Sequence, residues 1–180
     1  MSNTSATGGY LSPDGEALPS DDGLEDILQN HVVNLTGLNP NLVRPRWQPE
    51  TPKLPEPTIT WASIGVVSSE DPDSPYFDDD GNSINHETFD VLVSFYGPNA
   101  EAKAKTFKSG LAIPQNNNQL KPLGITFVRS QPIRNVPELI NQQWLRRYDF
   151  QFTLRRKKIT HYPVLNLLTP PNIDMGWKIV

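Results

Sequence analysis

The chain has 180 residues and a net charge of −4, with 18 prolines and no cysteine. That length suits one domain with extensions and can bury a core without covalent staples. The missing cysteines exclude a disulfide framework and thiolate chemistry, and no apolar run approaches the roughly 18 residues of a membrane span.

Proline at about twice its usual frequency predicts long irregular segments and extended arms. Charge is lopsided: residues 1–90 carry 16 acidic and 3 basic side chains, and residues 91–180 carry 4 acidic and 13 basic ones. Such a split suits a subunit that meets its neighbour head to tail, one patch against a different patch. A strongly basic nucleic-acid binder would not keep so acidic a half. The first residues, MSNTSATGGYLSPDG, have no basic stretch followed by an apolar run and predict no signal peptide.

In chain order, residues 1–21 read as an extended arm rich in Ser, Thr, Gly and Pro. A first helix is expected from Gly23 to about Thr36. Asp22 and Glu25 supply a box-like start, Leu24, Ile27, Leu28, His31, Val32 and Leu35 form one apolar stripe, and Gly37 is the stop. Leu42 to Trp47 is a short strand limited by Pro45, followed by an extended proline-rich connector over 48–57. Thr58 to Ser68 is a strand with Ala62, Ile64 and Val66 on one face and Ile59 and Trp61 on the other. Glu87 to Tyr96 is a second, antiparallel to the first across a long loop, Ser69 to His86.

Pro98 to Ser109 is a second helix with Ala100, Ala104, Phe107 and Leu111 toward the sheet, Lys103, Lys105 and Lys108 beside solvent, and Gly110 as its end. Ile125 to Ser130 is a strand that Ile133 to Val136 extends beyond Pro132, and Pro137 to Ile140 is a connection of about one helical turn. Asn141 to Tyr162 then alternates as one long strand, with Trp144, Tyr148, Phe150, Phe152 and Leu154 on a core face. Residues 163–180 read as a C-terminal arm with apolar anchors at Leu165, Leu167, Leu168 and Trp177. The whole predicts an α+β domain over 22–162, an antiparallel or mixed sheet flanked by helices, between extended proline-rich arms.

The chemistry-bearing residues are sparse. The three histidines, His31, His86 and His161, fall on different elements, and His31 reads as a packed core residue. There is no HExxH, GxSxG, CxxC, Walker or GxGxxG pattern, and no cofactor, metal ligand set or catalytic group is assigned. The acidic stretch SEDPDSPYFDDDGNSINH invites a calcium loop, but taking Asp78 as first ligand puts Ser83 where glycine is required and Phe89 where the bidentate glutamate belongs. It reads instead as a solvated loop that presents Asp78, Asp79 and Asp80 to a basic neighbour. Asp149 is expected to pair with Arg147, Arg129 or Arg134. The cations at the two ends of the long strand, Arg146 and Arg147, then Arg155, Arg156, Lys157 and Lys158, are candidates for a subunit interface first and a DNA channel second. Four adjacent charges on a strand point to both faces, so about two of the last four reach any one surface.

The order of elements, with the segments VPELINQQWLRRYDFQFTLRR (Val136 to Arg156) and FDVLVSFYGPNAEAKAKTFKSGL (Phe89 to Leu111), resembles the neck and tail terminator proteins of contractile-tailed phages over roughly residues 22–162. The resemblance implies a non-enzymatic structural virion protein, a ring-forming subunit, expected as a hexamer. The ring would sit at the head-proximal end of the tail, stop tube growth and join the tail to the head connector, with DNA passing through unread. It implies tube, sheath and connector proteins as partners, the tail neck as location and the host cytoplasm as place of assembly. Two alternatives remain: another head-completion or tail-tube subunit, or a small phage enzyme or metal-binding domain using the acidic loop.

Overall fold

The computed structural model describes residues 3, 7–14, 21–48, 50, 53–70, 75–78, 81–140 and 142–164. The anchors expected at Leu165, Leu167, Leu168 and Trp177, and most of the N-terminal arm, lie outside them.

Helix α1 spans Asp21–Thr36, and Leu24, Leu28, His31 and Val32 are its buried stripe. Its end is closed three ways. Gly37, at φ 66°, donates its N–H to the Val33 carbonyl, a left-handed stop that glycine adopts without steric cost. The Thr36 hydroxyl donates to the Val32 carbonyl at 2.7 Å, and Lys103 Nζ reaches the Thr36 carbonyl at 2.6 Å.

A 3₁₀ turn at Pro40–Leu42 leads into β1 (Val43–Pro45), which runs parallel to β2 (Trp61–Glu70) at the sheet edge. The short β3 (Tyr76–Phe77) and the long β4 (Asn82–Tyr96) follow. Helix α2 (Ala100–Leu111), one turn of α3 (Pro114–Asn117) and a 3₁₀ turn at Lys121–Leu123 lead to β5 (Ile125–Ser130). The chain continues through β6 (Arg134–Asn135), β7 (Glu138–Ile140), β8 (Gln143–Leu145) and β9 (Arg147–His161). The main sheet has the order β1-β2-β4-β9-β5, with β3 on β4 and β6 on β9. The fold is thus α+β with a mixed sheet, as the pattern of the sequence predicts.

One sheet face is a continuous apolar floor. Register places Ala62 beside Phe95 and Ile64 beside Val93, then Phe89, Val91 and Val93 beside Leu154, Phe152 and Phe150. All of these are buried, with both helices over them. Phe107 of α2 is the centre, its ring 6.0 Å from Phe95, 5.9 Å from Phe150 and 5.5 Å from Phe152.

Several expectations are revised. Strand β4 begins at Asn82 rather than Glu87, because β9 is long enough to pair with all fifteen of its residues, from Asn82↔His161 to Tyr96↔Arg147. Helix α2 runs through Gly110 to the buried Leu111. Gly110 is a contact glycine there, since a Cβ on it would lie 3.1 Å from Leu35 Cδ2 of α1. Pro137–Ile140 is not helical; Glu138–Ile140 pairs with Gln143–Leu145 as a separate hairpin, with Gln142 at φ 64°.

The long strand therefore starts at Arg147, not Asn141. It is interrupted at Arg146, whose carbonyl accepts from the Gly97 N–H at 3.1 Å. Trp144, expected in the core, is 72% exposed on the hairpin.

Candidate assembly surfaces

The side of the sheet away from the helices is polar and built on aromatic–cation stacking. Trp61 of β2 and Tyr96 of β4 are register partners, and their rings stack at 4.1 Å and 8°. Arg44 of β1 lies 6.0 Å over Trp61, and Arg147 of β9 lies 5.6 Å over Tyr96. Four neighbouring strands thus carry a row of cation, ring, ring, cation, in which each guanidinium meets the negative face of a π-system.

Arg147 also forms a two-pronged bond with Asp149, Nε to Oδ1 at 2.8 Å and Nη2 to Oδ2 at 2.9 Å, and donates Nη1 to Glu138 at 3.1 Å. Burial disfavours this cation, but its hydrogen bonds to Asp149 and Glu138 outweigh burial and hold its pKa above the ordinary value. Asp149 is thereby a structural carboxylate, paired as the sequence suggests.

Further along this face, Asp90 accepts from Thr153 Oγ1 at 2.6 Å and from Gln151 Nε2 at 3.1 Å. Arg129, Arg155 and Lys157 sit at its far corner. Arg129 is the register partner of Thr153, Arg155 of Thr88 and Thr126, and Lys157 of His86. All three are exposed, as is Arg146.

The rest of the RRKK run behaves differently, because a strand sends successive side chains to opposite faces. Arg156 points to the helix side and is buried. Its Nη2 and Nε lie 2.6 and 3.1 Å from Glu87 Oε2, its guanidinium sits 5.9 Å over Phe89, and Lys158 Nζ approaches the same carboxylate at 3.7 Å. The charge split of the sequence is therefore partly neutralised inside the subunit, since β4 of the acidic half pairs with β9 of the basic half.

The described part of the acidic stretch around Tyr76–Phe77 lies at the same end of the sheet, paired with Ser83 and Ile84. Asp78 accepts from the Asn82 backbone N–H and side-chain amide, both at 2.9 Å, and so fixes the turn into β4. Asp79 and Asp80 lie outside the described residues. Among the described residues no group of three or more His, Asp or Glu is placed to hold a metal ion, and no helix is long and apolar enough to cross a membrane.

His31 packs edge-on against Phe107 at 6.3 Å. Burial holds its pKa below the ordinary 6.5. For Glu87, burial pushes the pKa up, but the Ser69 hydroxyl and the Arg156 guanidinium outweigh it and leave the group below its ordinary 4.5. Both shifts are downward, so the unfolded chain takes up the proton first as pH falls. Each contribution to stability is complete above the group's ordinary value, declines as pH passes below it, and is gone beneath the folded value.

Urea midpoints taken from pH 8 to pH 3 are accordingly expected to fall in two stages, below 6.5 and again below 4.5. His31→Leu should remove the first stage and Glu87→Gln the second. A midpoint that stays constant across this range would refute the assignment.

The stacked row over Arg44, Trp61, Tyr96 and Arg147 was not visible in the sequence. Those residues are up to about a hundred positions apart, and only the strand register joins them.

Residues 22–176 match the family model described as phage neck terminator protein. No curated protein matches the chain. Among solved structures, a chain in "Virion of native gene transfer agent (GTA) particle" aligns with 14% identity and a TM-score of 0.36, covering 78% of this chain and 99% of that one. The family match spans helix α1, the whole sheet and both of its faces. This protein is a structural component of the phage tail neck, and it belongs to the phage neck terminator protein family.

Proposed function

We propose that the protein closes into a hexameric ring at the head-proximal end of a contractile tail, stops growth of the tail tube and joins the tail to the head connector. The observation that carries this reading is the family match over residues 22–176. In this reading the tube, sheath and connector proteins are its neighbours, and assembly takes place in the host cytoplasm. DNA passes through the ring, met by phosphate-directed charge without base reading. The chain divides into an arm over 1–21, the α+β body over 22–162 and a second arm over 163–180. The arms order against neighbours at an entropic cost that new contacts offset.

Negative-stain imaging of the purified protein, alone and on tails, tests the ring directly. Deleting the gene should leave filled heads beside tails that are unjoined or of aberrant length. A protein that stays monomeric both alone and on tails overturns the reading, and a deletion that leaves no tails at all points to a tube subunit.

The exposed cations Arg155 and Lys157 are assigned to contact with an acidic surface of a neighbouring subunit, and Arg156 is excluded from that role by its buried bond to Glu87. Reversing Arg155 and Lys157 together to glutamate is expected to weaken ring formation most at low ionic strength, where exposed charges are least screened, with monomer stability changed by less than about 0.5 kcal/mol. Sedimentation at several salt concentrations reads this. Assembly unchanged at every concentration would move these residues to solvent or to the DNA path.

A further inference from the structure

The helix-free side of the sheet carries a cleft of about 240 Å³, walled by Arg44 and Arg46 and floored by Trp61, Ser63 and Tyr96. Backbone and glycine fix the wall in place. The Arg46 N–H donates to the Ile64 carbonyl at 2.7 Å. A Cβ on Gly65 would lie 3.0 Å from Arg46 Cβ and 2.8 Å from the Trp47 ring, so the bare backbone at 65 lets the wall come this close to β2.

The two guanidiniums are under-used. Arg44 donates Nη1 to the Lys53 carbonyl at 2.8 Å and Nε to the Asn41 carbonyl at 3.5 Å, and lies over Trp61. Arg46 donates Nη2 to the Ser94 hydroxyl, while its buried Nε has no hydrogen-bond partner. Both side chains are half-buried, and among the described residues neither makes an ion pair. Glu50 stands on the same lining, so one carboxylate is at hand for two cations and the cleft keeps a net positive charge. Cations drawn partly out of water favour an added anion.

Leu54 and Trp61 continue the cleft into a hollow of about 250 Å³ lined by Pro55, Pro57, Ile140 and Trp144. Leu54 is 47% and Trp144 72% exposed. A cationic site and an apolar one thus share an edge. Tryptophan, tyrosine and arginine around a pocket are the residue types that carry most of the binding energy where proteins meet.

We infer that the cleft docks a segment of another protein in which Asp or Glu stands beside an aromatic or large aliphatic residue. The carboxylate meets Arg44 and Arg46, and its apolar neighbour enters the hollow against Leu54 and Trp144. Nucleic acid fits less well. Phosphates recur along a strand and call for a track of cations. This site offers two, with Glu50 and Glu56 on its margins, and the apolar hollow suits no phosphate. The site goes beyond the ring reading and stands whether or not the subunit closes into one.

Nuclear magnetic resonance on the full-length protein tests the site, with the indole N–H signals of Trp61 and Trp144 as reporters. The probe is the blocked peptide acetyl-Gly-Ser-Phe-Asp-Gly-Ser-amide. Both signals are expected to shift saturably as it is added. Exchanging the Asp of the peptide for Asn, or its Phe for Ser, should weaken binding about tenfold or more, since each exchange removes one half of the recognition.

Arg44→Glu in the protein should weaken binding by a similar factor, and so should Trp144→Ser at its exposed position, with Trp61 as reporter. Urea midpoints of both variants show that the fold is kept. A peptide that shifts neither signal, an Asn peptide that binds as tightly, or binding untouched by Arg44→Glu overturns the inference. A short DNA duplex that moves these signals where the peptide does not assigns the cleft to phosphate and overturns it likewise. Self-association that the peptide reverses, read by sedimentation, gives the cleft to a second copy of the chain instead of another protein.

Discussion

Phe107→Ala is expected to lower the stability of the subunit by about 4 kcal/mol, the range for removing a buried aromatic ring from a core that relaxes only in part. A falling urea midpoint with an unchanged m-value would report it. Phe107 is fully buried and sits between three phenylalanine rings from β4 and β9, with His31 of α1 at its edge. Edge-to-face and tilted ring pairs of this kind add to the burial of area alone. No other side chain joins both helices and both central strands in this way through ring contacts among the described residues. Its loss therefore loosens α1 as well as α2. Phe107→Leu, which keeps most of the volume, should cost clearly less. A loss below about 1 kcal/mol for the alanine variant would show that the two helices are held by other means.

The second large effect belongs to Arg156. Arg156→Met is expected to cost about 3 kcal/mol, because it strands Glu87 in a pocket where its other cation, Lys158, stands 3.7 Å away. The double variant Arg156→Met with Glu87→Leu should recover much of that loss, since two apolar groups leave no charge unpaired. Arg155→Ala, one residue earlier, should stay within about 0.5 kcal/mol. The contrast between adjacent arginines is the readout. Equal costs at 155 and 156 would mean that the strand register places them alike, against the pairing of Arg156 with Glu87.

The same pair shows how far the sequence could be read. Alternation located β2, the later half of β4, β5 and most of β9, because each buries one face and exposes the other. The helix stripes of α1 and α2 were equally legible, down to Ala100, Ala104, Phe107 and Leu111. What alternation leaves open is which partner lies opposite. Arg155 to Lys158 read as one block of charge until register set Arg156 against Glu87. The start of β4 was hidden for a related reason. Asn82 to His86 has little strand propensity of its own and is extended because β9 runs alongside it. Trp144 misled because it continues the alternating pattern of β9 across Arg146, and nothing local announces that the chain turns there. Gly110 looked like a stop signal and is a point of close helix approach. The candidate assembly surfaces were the least legible part, since the cleft draws on residues from β1, β2 and β4 that only the folded sheet assembles.

The position of β9 has a consequence for how the chain comes into being. This strand, near the end of the sequence, lies inside the sheet between β4 and β5. Until it has left the ribosome, β5 has no partner in the sheet, α2 lacks the Phe150 and Phe152 half of its floor, and Glu87 has no Arg156. Pairings separated by up to 79 positions, such as Asn82 with His161, form slowly because the closing of a long loop comes before any gain. The subunit therefore completes its fold only after Arg147–His161 has emerged. A nascent or truncated chain leaves the β4 edge open to wrong partners, whereas a finished one has sealed it.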